Sequence, residues 1–351
     1  MRGIMRYYKI WLPLLSIVLF FGLAELICRS FALTDKLNAD FKFYIHNVDD
    51  DLEETFMAED ASLMWFPRPN YRNGLININS QGFRDKERTV KKDGNVFRIL
   101  CLGDSSTFGW SVRLEETYHA LLEEKLNKEY GRSGARFEVI NAGVTGYTSY
   151  QGLRLYKQKG YRYKPDIVIF YLGINDSQKK FYLSDKQIIP DNILSNSNAD
   201  IKNNLLLKLS SYRLLRKVIV NISGMIRNNT GEKVQRVSSE DFKNNILELN
   251  RSCRKNGSRL LLISIPFNKK EIDRLNLNAE AAFVLNELEN ISKTYNIPLI
   301  YIPEMSTGAP FVDNSQLFLD VWHPSPAGHR IIMERLYEYL VNYKLLPGNH
   351  T

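Results

Sequence analysis

The 351-residue chain has little cysteine and little histidine, and neither is arranged as a metal site. Its three cysteines, Cys28, Cys101 and Cys253, show no Cys-x-x-Cys spacing, so a zinc site is not expected. Cys28 falls in an apolar N-terminal segment and Cys101 in a predicted core strand, so a disulfide framework is not indicated. Internal repeats and low-complexity tracts are also lacking, which excludes a repeat architecture.

A basic helix, or a basic stripe interleaved with aromatic residues, is missing as well, although the formal net charge is +8. A nucleic-acid partner is therefore not expected. We interpret the positive charge as a solvated basic surface with a few cations beside a membrane; a preference for anionic glycans or lipids stays open. Hydrophobic residues make up 44% and charged residues 25%, which is typical of one or two globular domains.

The N-terminal segment predicts a transmembrane helix. Arg2, Arg6 and Lys9 precede an apolar run from Ile10 to about Ile27. At 1.5 Å per residue, about 18 residues just span a hydrocarbon core of about 30 Å. Cations before the run predict a cytoplasmic N-terminus and place the rest of the chain outside, in the periplasm or at the cell surface.

Three other interpretations of this segment stay open. A cleaved signal peptide would end in a small-residue site, and no Ala-x-Ala-like site follows the run. A lipoprotein signal would have small residues before Cys28, where Leu26 and Ile27 stand instead. A buried helix of a soluble domain is the remaining alternative, and the flanking cations argue against it.

From Val96 onwards, short apolar runs alternate with longer helical patterns. Five runs are predicted to be strands buried on both faces, namely Phe97–Leu102, Phe137–Ile140, Ile167–Leu172, Leu260–Ile265 and Leu299–Ile302. Helices are predicted between them at Thr117–Tyr130, Glu240–Asn256 and Ala279–Tyr295. This alternation predicts an α/β fold, a three-layer α/β/α sandwich with a five-stranded parallel sheet. Ligands of such sheets bind beyond the carboxyl ends of the strands.

The domain organisation follows from these patterns. We expect a membrane anchor over residues 1–33, a lead-in segment over 34–95 that packs on the main domain, and the main domain over 96–346. Residues 177–238 are rich in Asn, Ser and Asp and include a basic amphipathic piece, Leu205–Val220. We interpret them as an insertion after the third strand that forms a lid; Leu205–Val220 is either a packed helix or a membrane-docking one.

The first predicted strand runs directly into Gly103, Asp104 and Ser105. Gly103 permits the tight strand-to-helix turn that would expose the Ser105 hydroxyl. A serine at a helix start also lies beside free backbone N–H groups and the positive helix end, which favour a developing oxyanion. The alternative is a plain helix cap, since Asp104, Ser105 and Ser106 are all good N-caps.

A second motif, Asp320-Val-Trp-His323, lies far downstream in a loop stiffened by Pro324 and Pro326. A serine hydroxyl is a weak nucleophile until a base takes its proton, and histidine titrates in the required range. A carboxylate must orient that imidazole, and Asp320 lies three residues away. His329 falls within the helical pattern that follows, and we interpret it as structural.

Donors for an oxyanion are predicted after the second and third strands. Gly146 follows the second strand and can bring its backbone N–H close, and Asn175 follows the third and adds a side-chain amide. Each is a common loop feature when taken alone. Taken together, these motifs fall after successive strands or in the last loop, at one edge of the sheet.

The ordered set resembles the SGNH (GDSL-like) hydrolase superfamily over roughly residues 96–345. Its four blocks match Gly103-Asp104-Ser105, Gly146, Gly173-Ile-Asn175-Asp176 and Asp320-Val-Trp-His323, with Gly-Asp-Ser-Ser where many members have Gly-Asp-Ser-Leu. The resemblance implies a catalytic triad of Ser105, His323 and Asp320. It also implies an oxyanion hole of the Ser105 N–H, Gly146 and Asn175, with no metal or organic cofactor.

The resemblance also implies a serine esterase that works through an acyl-enzyme. The anchor and the lead-in motif Asn79-Ser-Gln-Gly-Phe-Arg84 look like those of membrane-tethered bacterial members. An extracytoplasmic position favours short acyl esters, such as acetyl esters, of cell-surface or exported polysaccharide as substrates. Three alternatives remain, namely acyl transfer to a glycan hydroxyl, lipase or thioesterase activity on lipid esters, and a non-catalytic glycan-binding protein on this fold.

Overall fold

The structure is a computed structural model of the chain. It describes residues 2–31, 56–60, 62–131, 134–179, 184–188, 209–212, 214–215, 218–219, 222, 234–302 and 315–347. The chain divides into two compact units. One unit holds residues 1–55, 59–65 and 188–232, and the other holds residues 56–58, 66–187 and 233–351. We call the second the sheet unit, because it contains the large β-sheet.

Short strands precede the large sheet along the chain, and strands then alternate with helices. The strands are β1 Met57–Asp60, β2 Met64–Pro67, β3 Arg72–Asn73, β4 Ile76–Asn77, β5 Val96–Gly103, β6 Arg136–Gly143, β7 Ile167–Tyr171, β8 Arg259–Ile263 and β9 Leu299–Ile300. The helices are α1 Arg2–Ser30, α2 Ser105–Phe108, α3 Tyr118–Tyr130, α4 Ser149–Gln158, α5 Ile174–Ser177, α6 Asp185–Ile188, α7 Ser239–Lys255, α8 Lys269–Leu275, α9 Asn278–Tyr295 and α10 Pro326–Asn342.

Strands β5 to β9 form one parallel sheet in the order β6-β5-β7-β8-β9. The strands are apolar on both faces; Ile99, Leu100 and Leu102 of β5, for example, are completely buried. Each such side chain contributes about 1.5–3 kcal/mol of hydrophobic stabilisation. The predicted α/β fold with a five-stranded parallel sheet is therefore confirmed.

Helices cover the sheet in two pairs that follow from its topology. The chain steps from β5 to β6 on one side and then crosses to β7, β8 and β9 on the other. Because crossover connections between parallel strands are right-handed, these opposite steps put their helices on opposite faces. Accordingly α3 packs against α10, and α4 packs against α7. The reversal at β5 creates the point between β5 and β7 where such sheets bind ligands.

Part of the predicted lead-in lies in the sheet unit and holds the loop that follows α2. Arg84 is 1% exposed and donates from Nη1 to the carbonyls of Phe108 and Gly109, at 2.8 and 2.6 Å. Its Nη2 donates to the carbonyls of Leu75 and Val112, at 2.9 and 2.7 Å. One guanidinium therefore satisfies four backbone carbonyls of two separate segments.

A second buried arginine lies at the amino end of β5. Arg98 is completely buried and pairs through Nε with Glu138 at 2.7 Å. It also donates to the carbonyls of Thr89, Val90 and Tyr163. Because Arg98 lies at the start of the strand and Ser105 follows its end, this ion pair holds the edge of the sheet opposite to the predicted site.

The N-terminal helix α1 belongs to the other unit. Its stretch Trp11–Ser30 is long and apolar enough to cross a membrane, a property that anchors share with signal sequences. Most of its described large apolar side chains are exposed, with Trp11 at 64% and Phe20 at 67%. Near its end, Glu25 accepts hydrogen bonds from the backbone N–H groups of Ser210 and Ser211, at 2.9 and 2.8 Å.

Most of the predicted insertion 177–238, and the lead-in over 34–55, lie outside the described residues. The described ends of the insertion belong to the sheet unit, at 177–179 and 184–187 on one side and 234–238 on the other. Helix α7 then begins at Ser239, with Ser238 as its N-cap.

We predict that Arg84→Met lowers the free energy of unfolding by about 3 kcal/mol or more, because each buried carbonyl left without a donor costs about 1 kcal/mol or more. Chemical denaturation of the full chain in detergent measures the difference. Arg72→Met is the matched control, since Arg72 is exposed and should cost less than about 0.5 kcal/mol. Equal stabilities of the two variants would contradict the role given to Arg84.

Candidate active site

Ser105 is the first residue of α2, immediately beyond the carboxyl end of β5. The turn between them is tight: a Cβ added to Gly103 would lie 1.9 Å from Oγ1 of Thr107. Only glycine fits there, which is why the strand can pass into the helix within two residues. Asp104 caps the helix by accepting the backbone N–H of Ser106 at 2.9 Å. The cap is therefore Asp104, and the Ser105 hydroxyl is left for another partner.

That partner is His323, which lies 218 residues away in the sequence. Its Nε2 is 2.8 Å from Oγ of Ser105, and its Nδ1 is 2.6 Å from Oδ2 of Asp320. Oδ1 of Asp320 accepts the backbone N–H groups of Trp322 and His323, both at 2.9 Å. The structure thus brings all three predicted residues into one hydrogen-bonded row at the carboxyl edge of the sheet.

Two contacts fix the loop that carries this row. The backbone N–H of Leu319 donates to the carbonyl of His323 at 2.8 Å, which closes the loop on itself. Oγ of Ser106 donates to the carbonyl of Trp322 at 3.2 Å, which ties the loop to α2. Ser106 is the serine that stands where many SGNH sequences have leucine, and its hydroxyl has a structural partner in the loop.

The carboxylate of Asp320 stays ionised. Burial by itself raises the pKa of Asp320, but the hydrogen bond and the charge of His323 and the two backbone N–H groups outweigh it, so the pKa lies below its ordinary value. A carboxylate facing Nδ1 keeps the ring proton on that nitrogen. Nε2 is then left unprotonated in the neutral ring and can accept the Ser105 proton.

Gly146 lies on a tight turn after β6. The backbone N–H of Tyr147 donates to the carbonyl of Val144 at 3.2 Å, and Gly146 has a φ of +73°, which favours glycine at the third position of a type II turn. The turn is joined to the end of β5, because the N–H of Val144 donates to the carbonyl of Gly103 at 3.1 Å.

Asn175 lies on α5, directly after β7, and is 9% exposed. Its Nδ2 donates to the carbonyl of Tyr147 at 3.0 Å and to Oδ2 of Asp104 at 3.4 Å. The structure therefore connects Asn175 both to the turn that carries Gly146 and to the cap of the helix that carries Ser105.

The sequence pattern assigns no role at the site to two further residues that lie beside it, Asp104 and Trp110. Asp104 is 2% exposed, and burial raises its pKa to about 6 against the hydrogen bond of Ser106 and the charge of His323. Trp110 lies beside the site, with its ring centroid 6.4 Å from that of His323. The sequence signals Asp104 only as a cap, and no pattern marks Trp110.

His329, which the sequence pattern indicates to be structural, lies on α10 and is completely buried. Its Nδ1 accepts the backbone N–H of Tyr118 at 3.3 Å, and burial lowers its pKa to about 3, so the ring is neutral. Across the described ranges, no group of three or more His, Cys, Asp or Glu residues could hold a metal ion.

Comparison with known proteins places this arrangement in a family. The sequence profile of the GDSL-like Lipase/Acylhydrolase family matches residues 101–331, which include Ser105, Asp320 and His323. An arylesterase of Vibrio mimicus is 33% identical over 84 residues, which are 24% of this chain and 40% of that protein. The chain thus spans less than half the length of this relative.

Two solved structures are similar to the chain at low identity. The lipase/acylhydrolase from Enterococcus faecalis matches with a TM-score of 0.46 at 15% identity, over 70% of this chain and 96% of its own. A catalytic mutant of Axe2, an acetylxylan esterase from Geobacillus stearothermophilus, matches with a TM-score of 0.44 at 15% identity, over 71% and 94%. By its family profile, the chain belongs to the GDSL-like Lipase/Acylhydrolase family.

Proposed function

We propose that the chain is a membrane-anchored serine esterase that removes short acyl groups, such as acetyl, from cell-surface or exported polysaccharide. The row from Oγ of Ser105 through His323 to Asp320, with distances of 2.8 and 2.6 Å, is the observation that supports it most. These distances lie within hydrogen-bond reach, as a nucleophile, its base and the group that orients the base require.

The reaction has two steps. Nε2 of His323 takes the Ser105 proton while Oγ attacks the ester carbonyl, and the imidazolium then protonates the departing sugar oxygen. This leaves an acyl group on Ser105. Water, deprotonated by His323, attacks that acyl group and releases the carboxylic acid and the free serine. Asp320 stabilises the imidazolium in both steps because its own carboxylate remains ionised.

The negative oxygen of each tetrahedral intermediate needs N–H donors. We assign this task to the backbone N–H groups of Ser105 and Gly146 and to one side-chain N–H of Asn175, the one that makes the long 3.4 Å contact with Oδ2 of Asp104 in the free enzyme. Ser105 supports the assignment as the first residue of a helix, and Gly146 and Asn175 follow the strands that flank β5. No metal or organic cofactor enters this reaction.

The choice of substrate rests on location. We propose that residues 1–33 anchor the protein, since α1 is long and apolar enough to span a bilayer and Arg2, Arg6 and Lys9 mark its cytoplasmic end. The catalytic domain, over 96–346, then lies outside the cytoplasm. Esters in that compartment include acylated polysaccharides, and the membrane holds the enzyme where such polymers are exported or assembled.

The nucleophile is tested with a fluorophosphonate, which bonds covalently to an activated serine. We expect the full chain in detergent to be labelled and to hydrolyse p-nitrophenyl acetate, and Ser105→Ala to lose both. Loss of a triad residue lowers kcat by about 10⁴-fold or more. Ser80→Ala, which changes an exposed serine outside the site, is the matched control and should keep its labelling. Full esterase activity in purified Ser105→Ala would refute the assignment.

Asp320→Asn tests the orientation of the histidine. An Asn Oδ1 can still accept the N–H groups of Trp322 and His323, so the loop should keep its shape, but an amide Nδ2–H facing Nδ1 favours the wrong tautomer. We expect kcat to fall by about 10³- to 10⁴-fold with an unchanged melting temperature. A variant that unfolds, or one that keeps its rate, would show that Asp320 does something else.

The acyl group is tested with p-nitrophenyl acetate and p-nitrophenyl octanoate, followed by an acetylated and a deacetylated polysaccharide. We expect kcat/KM to favour acetate by about tenfold or more, because a site shaped for a short acyl group excludes added methylenes. Acetate should be released from the acetylated polymer. A preference for octanoate would replace the proposal with a lipase, and acetyl transfer to the deacetylated polymer would replace it with an acyltransferase.

A further inference from the structure

The two ends of the insertion meet in a buried ion pair. Asp185 is completely buried and Arg236 is 3% exposed. Nε of Arg236 donates to Oδ1 of Asp185, and Nη2 donates to Oδ2, both at 3.0 Å. Their backbones are joined too, since the N–H of Asp185 donates to the carbonyl of Arg236 at 2.9 Å. This forked pairing uses only part of the hydrogen-bonding capacity of the guanidinium.

The remaining donors of Arg236 reach the turn after β6. Nη1 donates to the carbonyl of Gly146 at 2.7 Å, and Nη2 donates to Oε1 of Gln151 at 2.9 Å. Gln151 also accepts the N–H of Thr148, the N-cap of α4, at 3.2 Å. The Thr148 hydroxyl in turn donates to Oδ2 of Asp185 at 2.7 Å. Asp185, Arg236, Gln151 and Thr148 thus form a closed ring of hydrogen bonds where the turn leads into α4.

The turn after β6 affects the position of two proposed oxyanion-hole donors, the backbone N–H of Gly146 and the side-chain amide of Asn175. Arg236 holds the carbonyl of Gly146, and Asn175 holds the carbonyl of Tyr147, the next residue. A shift of this turn would therefore move the backbone N–H of Gly146. It would also break the hydrogen bond that holds the amide of Asn175. Ser105 and His323 would keep their positions, because their side chains bond to each other and to Asp320.

We propose that Arg236, fixed by Asp185, is a positioning residue that sets the oxyanion hole by holding the Gly146 carbonyl. This inference rests on the proposed function. It connects the insertion to the proposed reaction, because Asp185 and Arg236 lie in the two described ends of the insertion. The alternative is that the pair only stabilises the fold, as Arg98 and Glu138 do at the opposite edge of the sheet.

The test compares Arg236→Lys and Arg236→Met with Arg98→Met, in the full chain in detergent, with p-nitrophenyl acetate. Titration with a fluorophosphonate counts the active sites, so that kcat refers to folded enzyme alone. Lysine keeps a positive charge for Asp185 but lacks the fork that reaches Gly146. If Arg236→Met does not fold, the kcat of Arg236→Lys can still be measured.

We expect Arg236→Lys to lower kcat by about 10- to 100-fold and to leave KM within about twofold, because a misplaced donor weakens only the transition state. Arg98→Met should lower the melting temperature and leave kcat per titrated site unchanged. In combination with Asn175→Ala, Arg236→Lys should add little further loss, since both changes release the same turn.

Three results would overturn the inference: a wild-type kcat in Arg236→Lys, a change confined to KM, or a full multiplication of the losses in the double variant. A different failure belongs to the proposed function. If the wild-type chain is neither labelled nor active, the esterase assignment fails and the role of Arg236 falls with it. If the wild type is labelled and Ser105→Ala is not, the esterase stands and the Arg236 variants decide alone.

Discussion

The parallel pairing of β5 with both β6 and β7 is the constraint on which the rest of the sheet unit depends. Because all three strands point the same way, their carboxyl ends reach one edge, and the chain must leave each of them there. Ser105, the Gly146 turn and Asn175 all lie within a few residues of these three ends. The backbone pairing of the three strands therefore sets the spacing of these features independently of the side-chain contacts in the site.

Buried arginines fix loops that the backbone pairing of the strands does not hold in place. Arg84 binds carbonyls at the end of the α2 segment, and Arg236 binds a carbonyl of the turn after β6. A guanidinium suits this task, since its five N–H groups in one plane can satisfy several acceptors that no helix or strand provides for. Neutral side chains of similar length offer fewer donors, so such loops would be left with unsatisfied carbonyls.

The sheet could be predicted because its signal is local. A run such as Ile167–Tyr171 is apolar throughout, as only a strand covered on both faces can be, and the motif residues follow such runs at once. The Ser105, His323 and Asp320 row was also foreseeable, since their chemistry requires one another. Strand β9 is shorter than expected, at Leu299–Ile300, because only its first residues pair with β8.

Arg84 and Arg236 were not foreseeable in the same way. Their partners are mainly backbone carbonyls, which every residue carries, so no pairing of residue types marks them in the sequence. Asp185 and Arg236 are also separated by 51 positions, most of them in a stretch without a period. A buried charge network of this kind depends on where loops end in space, which the apolar pattern of the strands does not encode.

The separation of Ser105 from His323 by 218 residues has a consequence for biosynthesis. Ser105 follows the first strand of the sheet and His323 precedes the last helix, so the two meet only when nearly the whole domain has left the ribosome and folded. A chain synthesised only as far as β9 carries Ser105 without His323. The hydrogen bond between the two side chains therefore forms only once the sheet and the loop before α10 are both complete.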